Sequence, residues 1–178
     1  QFTSPINVAI PSGNFGNAYS AWFGRANGLP INEILCSTNV NDVLKRFIDG
    51  GVLEPLVTQP SLAPSMDIQI PSSLERLIFD LCSEAKNFYD HLQRNSKAQL
   101  DENSVNTLKS IFSSVTFKDE MIKTLITLLH DEFGIIFDPH TVTSVQMALD
   151  KNSTVPTVAV ATASVSYTHL TLPTKCSV

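Results

Sequence analysis

Positive charge and long apolar runs are both scarce in this sequence, and each scarcity excludes a class of protein. The chain has 12 Lys and Arg against 17 Asp and Glu, a formal net charge of −5, and the basic residues form no block. Nucleic acid is therefore not an expected partner. No apolar run is long enough to span a bilayer, and the first residues lack the layout of a signal peptide. A membrane is not an expected partner either.

Cysteine is also scarce. Cys36, Cys82 and Cys176 are far apart, odd in number and without C-x-x-C spacing, so we expect neither a disulfide framework nor a zinc site. The pattern fits a reducing, cytoplasmic location. What the sequence does contain is enough apolar residues, 43% of 178, for one sizeable core. It begins at Gln1 rather than at Met, which indicates a fragment.

The first third of the chain alternates strand and helix patterns. Apolar runs at 6–10 and 31–36 predict two strands, and apolar residues at helical spacing predict helices over 18–27 and 41–48. Gly50 and Gly51 mark the end of the second helix. Since strand and helix alternate, the sequence predicts an α/β fold with a parallel sheet flanked by helices.

Helical patterns dominate the remainder. Residues 54–73 are rich in Pro and Ser and have no sustained period, so we expect an ordered loop long enough to be functional. The later elements are expected in this order: helices over 72–91 and 102–112, a helix from about Thr116 to Gly134, a helix from Asp138 to about Leu149, and a buried strand over 155–161.

The most informative segment follows the first predicted strand. Ser12 to Asn17 read Ser-Gly-Asn-Phe-Gly-Asn and lead directly into a helix. Unpaired N–H groups and the positive end of the dipole make a helix N-terminus suitable for phosphate, and glycines let the backbone approach it. Two glycines after a strand are weak support by themselves, because a plain structural turn has the same pattern.

Four segments, taken in order, resemble threonine synthase. They are the loop ending at Asn17, Ser37-Thr-Asn-Val-Asn-Asp42, Ser65-Met-Asp-Ile with the following Ser73-Leu-Glu-Arg-Leu, and Asp138-Pro-His-Thr141. The resemblance runs from Asn7 to about Ala163. It implies part of a fold type II pyridoxal-phosphate enzyme, similar to the tryptophan synthase β-subunit, and residues 1–164 are expected to form its phosphate-binding and C-terminal part.

The resemblance also implies residues for the cofactor, pyridoxal 5′-phosphate (PLP). In the family a Gly-Asn-Phe-x-Asn loop holds the cofactor phosphate, and a threonine in a Thr-Ala-His segment faces its pyridine nitrogen. A hydroxyl partner would leave that nitrogen largely unprotonated. The positions that correspond here are Gly13, Asn14, Phe15, Gly16, Asn17 and, where Ala161-Thr-Ala163 matches the start of the segment, Thr162.

No catalytic residue is assigned within the chain. Phe117-Lys-Asp119 has the same letters as the segment around the family's Schiff-base lysine. The family's lysine precedes the phosphate loop, however, whereas Lys118 follows it and begins a helix beside two carboxylates. We therefore interpret Lys118 as a chance match and expect the catalytic lysine upstream of Gln1. His140 could bind an anion, although a local hydrogen-bonding role is commoner at a helix start.

The last residues do not continue the family pattern. Val165 to Thr174 resemble one translated frame of a transposase-based sequencing adapter, and an index followed by a stop codon would account for the rest. We therefore expect 165–178 to be a non-native tail, so that Cys176 and His169 carry no function.

The resemblance implies an enzyme that converts O-phospho-L-homoserine and water to L-threonine and phosphate. Alone, this fragment is expected to be inactive, because the Schiff-base lysine is missing. It is also expected to aggregate, because upstream strands that would cover its sheet are missing. Three alternatives stay open: a threonine-synthase-like phospholyase with a related substrate, a non-catalytic phosphate-binding module, and a truncated reading frame that encodes nothing functional.

Overall fold

Four strands form a parallel sheet at the centre of the fold. The computed structural model describes residues 4–82 and 84–162. Within these ranges the sheet contains β1 (Ile6–Pro11), β2 (Ile31–Thr38), β5 (Phe112–Thr116) and β6 (Thr157–Ala159), in the spatial order β5-β2-β1-β6. Each neighbouring pair is parallel, which confirms the predicted fold class.

Helices cover both faces of this sheet. Successive side chains of β1 alternate between two cores, because a strand has a period of two: Val8 and Ile10 lie in one core and Ala9 in the other. The first core is covered by helices α1 (Gly16–Ala26), α2 (Val43–Gly50), α3 (Leu74–Leu81), α4 (Ala85–Asn95) and α5 (Glu102–Lys109). The second is covered by α6 (Asp119–Phe133) and α7 (Thr141–Asp150). None of the helices in the described ranges is long and apolar enough to cross a membrane.

A short antiparallel pair lies outside the main sheet. It joins β3 (Val52–Leu53) to β4 (Ala98–Gln99). Gly51 precedes β3 with a φ of 71°, in the left-handed region that glycine adopts readily, and ends α2 as its pattern predicts. The pair connects the first α/β units to the region of the three helices α3, α4 and α5.

Two predicted helices differ from the observed ones. The helix predicted over 72–91 is divided into α3 and α4, because Cys82 adopts an extended conformation with a ψ of 120°. The helix predicted over 102–112 ends at Lys109; Ser110 and Ile111 form a turn, and Phe112 begins β5. β5 pairs with β2 from Ile34 to Thr38, so tertiary pairing rather than local pattern decides its conformation.

The last strand is shorter and more exposed than predicted. β6 covers only Thr157–Ala159 and pairs with β1, and Val158 is 48% exposed, so the expectation of a fully buried strand over 155–161 is wrong. Its position at one edge of the sheet explains the exposure. Further large apolar side chains also face outward, among them Val57, Phe79 and Ile136.

The long loop predicted between 54 and 73 is ordered by a carboxylate. Apart from a 3₁₀ turn at Pro64–Met66, it has no helix or strand. Asp67 accepts hydrogen bonds from the Asn39 amide at 2.6 Å, the Asn41 amide at 3.1 Å and the Ser61 hydroxyl at 2.6 Å. Charge-assisted bonds of this kind are among the strongest in proteins. They fix the loop to the segment that follows β2.

Candidate functional site

A cavity of about 350 Å³ lies at the carboxyl end of the sheet. In open parallel sheets this edge is where ligands bind, because loops and helix N-termini converge there. The wall is formed by four separate segments. They are the loop after β1 with the start of α1, the 3₁₀ turn, the residue before α7, and the residues after β6; the lining is Pro11 to Ala18, Ser65, Met66, His140 and Thr162.

The N-terminus of α1 opens into this cavity without a side-chain cap. Phe15 occupies the N-cap position, and no side chain accepts a hydrogen bond from the first turn. The N–H groups of a first turn have no partner within the helix, and they carry the positive end of the helix dipole. The lining residues include no Asp or Glu. The arrangement is therefore suited to a phosphate group.

The loop before α1 is held at three points. The Ser12 N–H donates to the Ser37 carbonyl at 2.8 Å, and the Asn14 carbonyl accepts from the Ser73 N–H at 3.0 Å. Gly13 lies so close to the 3₁₀ turn that a Cβ atom there would be 2.7 Å from the Ser65 carbonyl oxygen. The loop is thus fixed by β2, by the start of α3 and by close backbone contact.

Phe15 anchors the same loop in the core. Its side chain is 1% exposed and its ring centroid is 5.5 Å from that of Phe112. Its φ is 69°, a left-handed conformation that is uncommon for a large side chain. Such strain persists where the surrounding packing over-determines it, and it is frequent at functional sites.

Thr162 reaches the cavity from the end of β6, the strand next to β1. The Val160 N–H donates to the Ala9 carbonyl at 2.8 Å, and the Ser144 hydroxyl donates to the Val160 carbonyl at 3.1 Å. These bonds place the residues after β6 beside the loop after β1. All six residues predicted for the cofactor, Gly13 to Asn17 and Thr162, therefore line one cavity. Their role in binding stays a prediction.

His140 forms the wall beside the 3₁₀ turn, and Asp138 contacts it. His140 is 2% exposed, its Nδ1 lies 3.0 Å from the Asp138 carboxylate, and its Nε2 lies 3.2 Å from the Ser65 amide nitrogen. Asp138 also accepts from the His140 N–H at 2.9 Å and from the Thr141 hydroxyl. Burial opposes its ionisation, but these hydrogen bonds outweigh burial and lower the pKa of Asp138 to about 2.

This low pKa predicts an acid-dependent loss of stability. Because the folded-state pKa lies below 3.8, the ordinary value for an aspartate, ionised Asp138 stabilises the fold above that pH, and the contribution is lost as the pH falls toward about 2. Urea denaturation from pH 7 to pH 2 should show this loss of unfolding free energy in the wild type and not in Asp138→Asn. Glu132→Gln, at an exposed position of α6, is the control and should keep the wild-type profile. Identical acid profiles for Asp138→Asn and wild type would contradict the prediction.

Two residues of the wall received no role from the sequence. Ser65 and Met66 lie in a segment that resembles the family, but no local pattern indicates that this segment would reach the loop after β1. Their position depends on the Asp67 contacts, which only the folded loop reveals. Lys118 is exposed at the start of α6 and is not among the lining residues, in agreement with its interpretation as a chance match.

Comparison with known proteins shows which proteins this chain resembles. No protein-family model matches the chain. The threonine synthase of Pseudomonas aeruginosa is 32% identical over 164 residues, which covers 89% of this chain. A PLP-bound threonine synthase structure from Brucella melitensis superimposes with a TM-score of 0.86 at 30% identity, over 90% of this chain. The chain is a homologue of the threonine synthases. A human protein named threonine synthase-like 1 is also similar, with 30% identity over 148 residues.

The match to the threonine synthases covers one part of those proteins. This chain spans 35% of the Pseudomonas protein and 36% of the Brucella chain. The tail predicted over 165–178 lies outside the described residues.

Proposed function

We propose that this chain is the cofactor-phosphate-binding and C-terminal part of a threonine synthase, a PLP-dependent lyase that converts O-phospho-L-homoserine and water to L-threonine and phosphate. The observation that carries the proposal is the uncapped N-terminus of α1, which opens into a cavity at the carboxyl edge of the sheet. The similarity to threonine synthases over 89% of the chain supports the substrate and the reaction. A cytoplasmic location is proposed with them.

The residues present fit the phosphate of PLP. A phosphate dianion needs donors, and the first turn of α1 supplies backbone N–H groups from Gly16, Asn17 and Ala18. The cavity volume of about 350 Å³ is within the range of small-ligand sites. No carboxylate among the lining residues would repel the anion. Gly13 to Asn17 would therefore hold the phosphate.

Thr162 would act at the other end of the cofactor. Its hydroxyl can donate or accept one hydrogen bond but carries no charge, so it would not stabilise a protonated pyridine nitrogen. When bound, PLP would supply the electron sink for proton removal from the substrate carbons and for loss of the substrate phosphate. The residues of this chain would bind and orient the cofactor, and the Schiff-base lysine would come from a part of the protein N-terminal to Gln1.

A related phospholyase is the second candidate function. It is favoured by the similarity to threonine synthase-like 1, which covers 79% of this chain at 30% identity. Such an enzyme would hold the PLP phosphate with the same residues, Gly13 to Asn17, which we call the phosphate cradle. It would act on a different phosphorylated amino compound.

The proposal is tested by recovering the reading frame from the source DNA across both ends. We expect an upstream Phe-Lys-Asp segment and a native continuation in place of 165–178. The full-length protein should bind PLP and form threonine and phosphate from O-phospho-L-homoserine, whereas the 178-residue chain alone should form none.

Each other outcome has a definite meaning. A full-length protein that binds PLP but acts only on another phosphorylated amino compound would favour the phospholyase. If the reading frame lacks the upstream lysine, and the protein that it encodes binds inorganic phosphate but not PLP, the proposal is contradicted and a phosphate-binding module is favoured. Threonine formation by the 178-residue chain alone would contradict its predicted inactivity.

A further inference from the structure

The 3₁₀ turn at Pro64–Met66 forms one wall of the proposed phosphate cradle, and a buried histidine contacts it. We propose that Asp138 and His140 are positioning residues that hold the backbone of Ser65 against Gly13 and thereby set the geometry of the cradle. This inference rests on the function proposed above, because it concerns the same cavity.

Close backbone contact makes Gly13 sensitive to the position of Ser65. A Cβ atom on Gly13 would be 2.7 Å from the Ser65 carbonyl oxygen and 3.0 Å from the Met66 Cα. Only a hydrogen atom separates the two backbones at this point. A shift of the 3₁₀ turn would therefore change the space available to the loop, and with it the positions of the N–H groups that follow Gly13.

The 3₁₀ turn is tied down from two directions. On the β2 side, the carboxylate of Asp67, the residue that follows the turn, accepts from the Asn39 amide at 2.6 Å. On the α7 side, the Ser65 N–H donates to His140 Nε2 at 3.2 Å. The histidine therefore links the turn to α7, across 75 residues of chain.

The direction of this hydrogen bond requires a particular form of the imidazole. A backbone N–H can only donate, so Nε2 of His140 must be the accepting, unprotonated nitrogen. In a neutral imidazole the proton is then on Nδ1, which lies 3.0 Å from the Asp138 carboxylate and donates to it. Asp138 thus selects the tautomer that allows His140 to accept from Ser65, as carboxylates do for metal-binding histidines.

A purely structural histidine would need only to fill space in the core, whereas a positioning histidine must accept the hydrogen bond from Ser65. Two amide substitutions distinguish the structural role from the positioning role. In His140→Gln the side-chain oxygen can reach the position of Nε2 and accept from Ser65. In His140→Asn the amide reaches only the position of Nδ1, so the bond to Ser65 is lost. Both variants have neutral amides of similar polarity, which makes them a matched pair.

The experiment measures PLP affinity and amide exchange in the full-length protein. We expect the dissociation constant for PLP to rise about tenfold or more in His140→Asn and to stay within about threefold of wild type in His140→Gln, because a lost buried hydrogen bond has an effect of this size. Hydrogen–deuterium exchange of the peptide containing Ser65 should be faster in His140→Asn only. His130→Asn, the same change at an exposed position of α6, is the control and should resemble wild type.

The outcomes distinguish this inference from the proposed function. Equal PLP affinity and equal Ser65 exchange in wild type, His140→Asn and His140→Gln would overturn the positioning role. If wild type binds no PLP, the proposed function fails, and the Ser65 exchange alone decides the positioning role. If His140→Asn does not fold, Asp138→Ala is used instead: it removes the acceptor of Nδ1–H and should accelerate Ser65 exchange, and unchanged exchange would overturn the inference.

Discussion

Replacing Gly13 by alanine is expected to weaken PLP binding on the order of 100-fold, the scale on which a misplacement of about 1 Å affects a preorganised site. The added Cβ would lie 2.7 Å from the Ser65 carbonyl oxygen and 3.0 Å from the Met66 Cα, and both are backbone atoms that no rotamer change can move. Either the loop or the 3₁₀ turn must shift. We also expect the free energy of unfolding to fall by about 1–3 kcal/mol, as for other overpacked sites.

Two further glycines provide controls for this prediction. A Cβ on Gly16 would meet only the Ser73 hydroxyl at 3.7 Å, and a Cβ on Gly50 only Val52 at 3.9 Å. Gly16→Ala should therefore keep or raise the stability, because alanine favours a helix by up to about 1 kcal/mol over glycine. Gly50→Ala, remote from the cavity, should leave PLP affinity unchanged. The measurements are a PLP titration and urea denaturation, and equal behaviour of Gly13→Ala and Gly50→Ala would refute the argument.

Local sequence patterns were sufficient for the part of the site that is contiguous in the chain. The apolar run of β1 stops at Pro11, a loop with two glycines follows, and Tyr19 and Trp22 mark the helix that begins there. Each signal acts within a few residues, so strand, loop and helix could be predicted together. The same holds for the end of α6, where Gly134 has a φ of 68° as the C-cap.

Elements fixed by distant partners could not be predicted in this way. β5 reads Phe-Ser-Ser-Val-Thr and has no clear strand pattern, but it pairs with β2 along its whole length. The break between α3 and α4 at Cys82 contains neither glycine nor proline. In both cases tertiary contacts override a local preference.

The assembly of the cavity wall could not be predicted from local patterns either. Ser65, His140 and Thr162 come from three segments that are far apart in the chain, and hydrogen bonds of Asp67, Asp138 and Ser144 bring them to one edge of the sheet. Thr162 was predicted only because its segment resembles a family motif. The contact between His140 and Ser65 has no signature in either segment, so only the folded structure indicates that the histidine acts on the loop.

Replacing Phe15 by alanine is expected to lower the free energy of unfolding by about 3–5 kcal/mol, the usual cost of truncating a fully buried aromatic residue. The side chain is 1% exposed and packs against Phe112 at a centroid distance of 5.5 Å. Phe23→Ala, in the same helix but 56% exposed, is the control and should cost less than about 1 kcal/mol. Urea denaturation of the three proteins measures the difference.

A third substitution at this position separates packing from backbone strain. Phe15 has a φ of 69°, which costs a non-glycine residue about 1–2 kcal/mol relative to glycine. Phe15→Gly removes the same ring as Phe15→Ala and also relieves the strain, so it should be more stable than Phe15→Ala by about 1 kcal/mol. If Phe15→Gly proved less stable than Phe15→Ala, the left-handed conformation would carry no strain. The core would then hold the loop through the ring alone, and the first turn of α1 would owe its orientation to packing rather than to a constrained backbone.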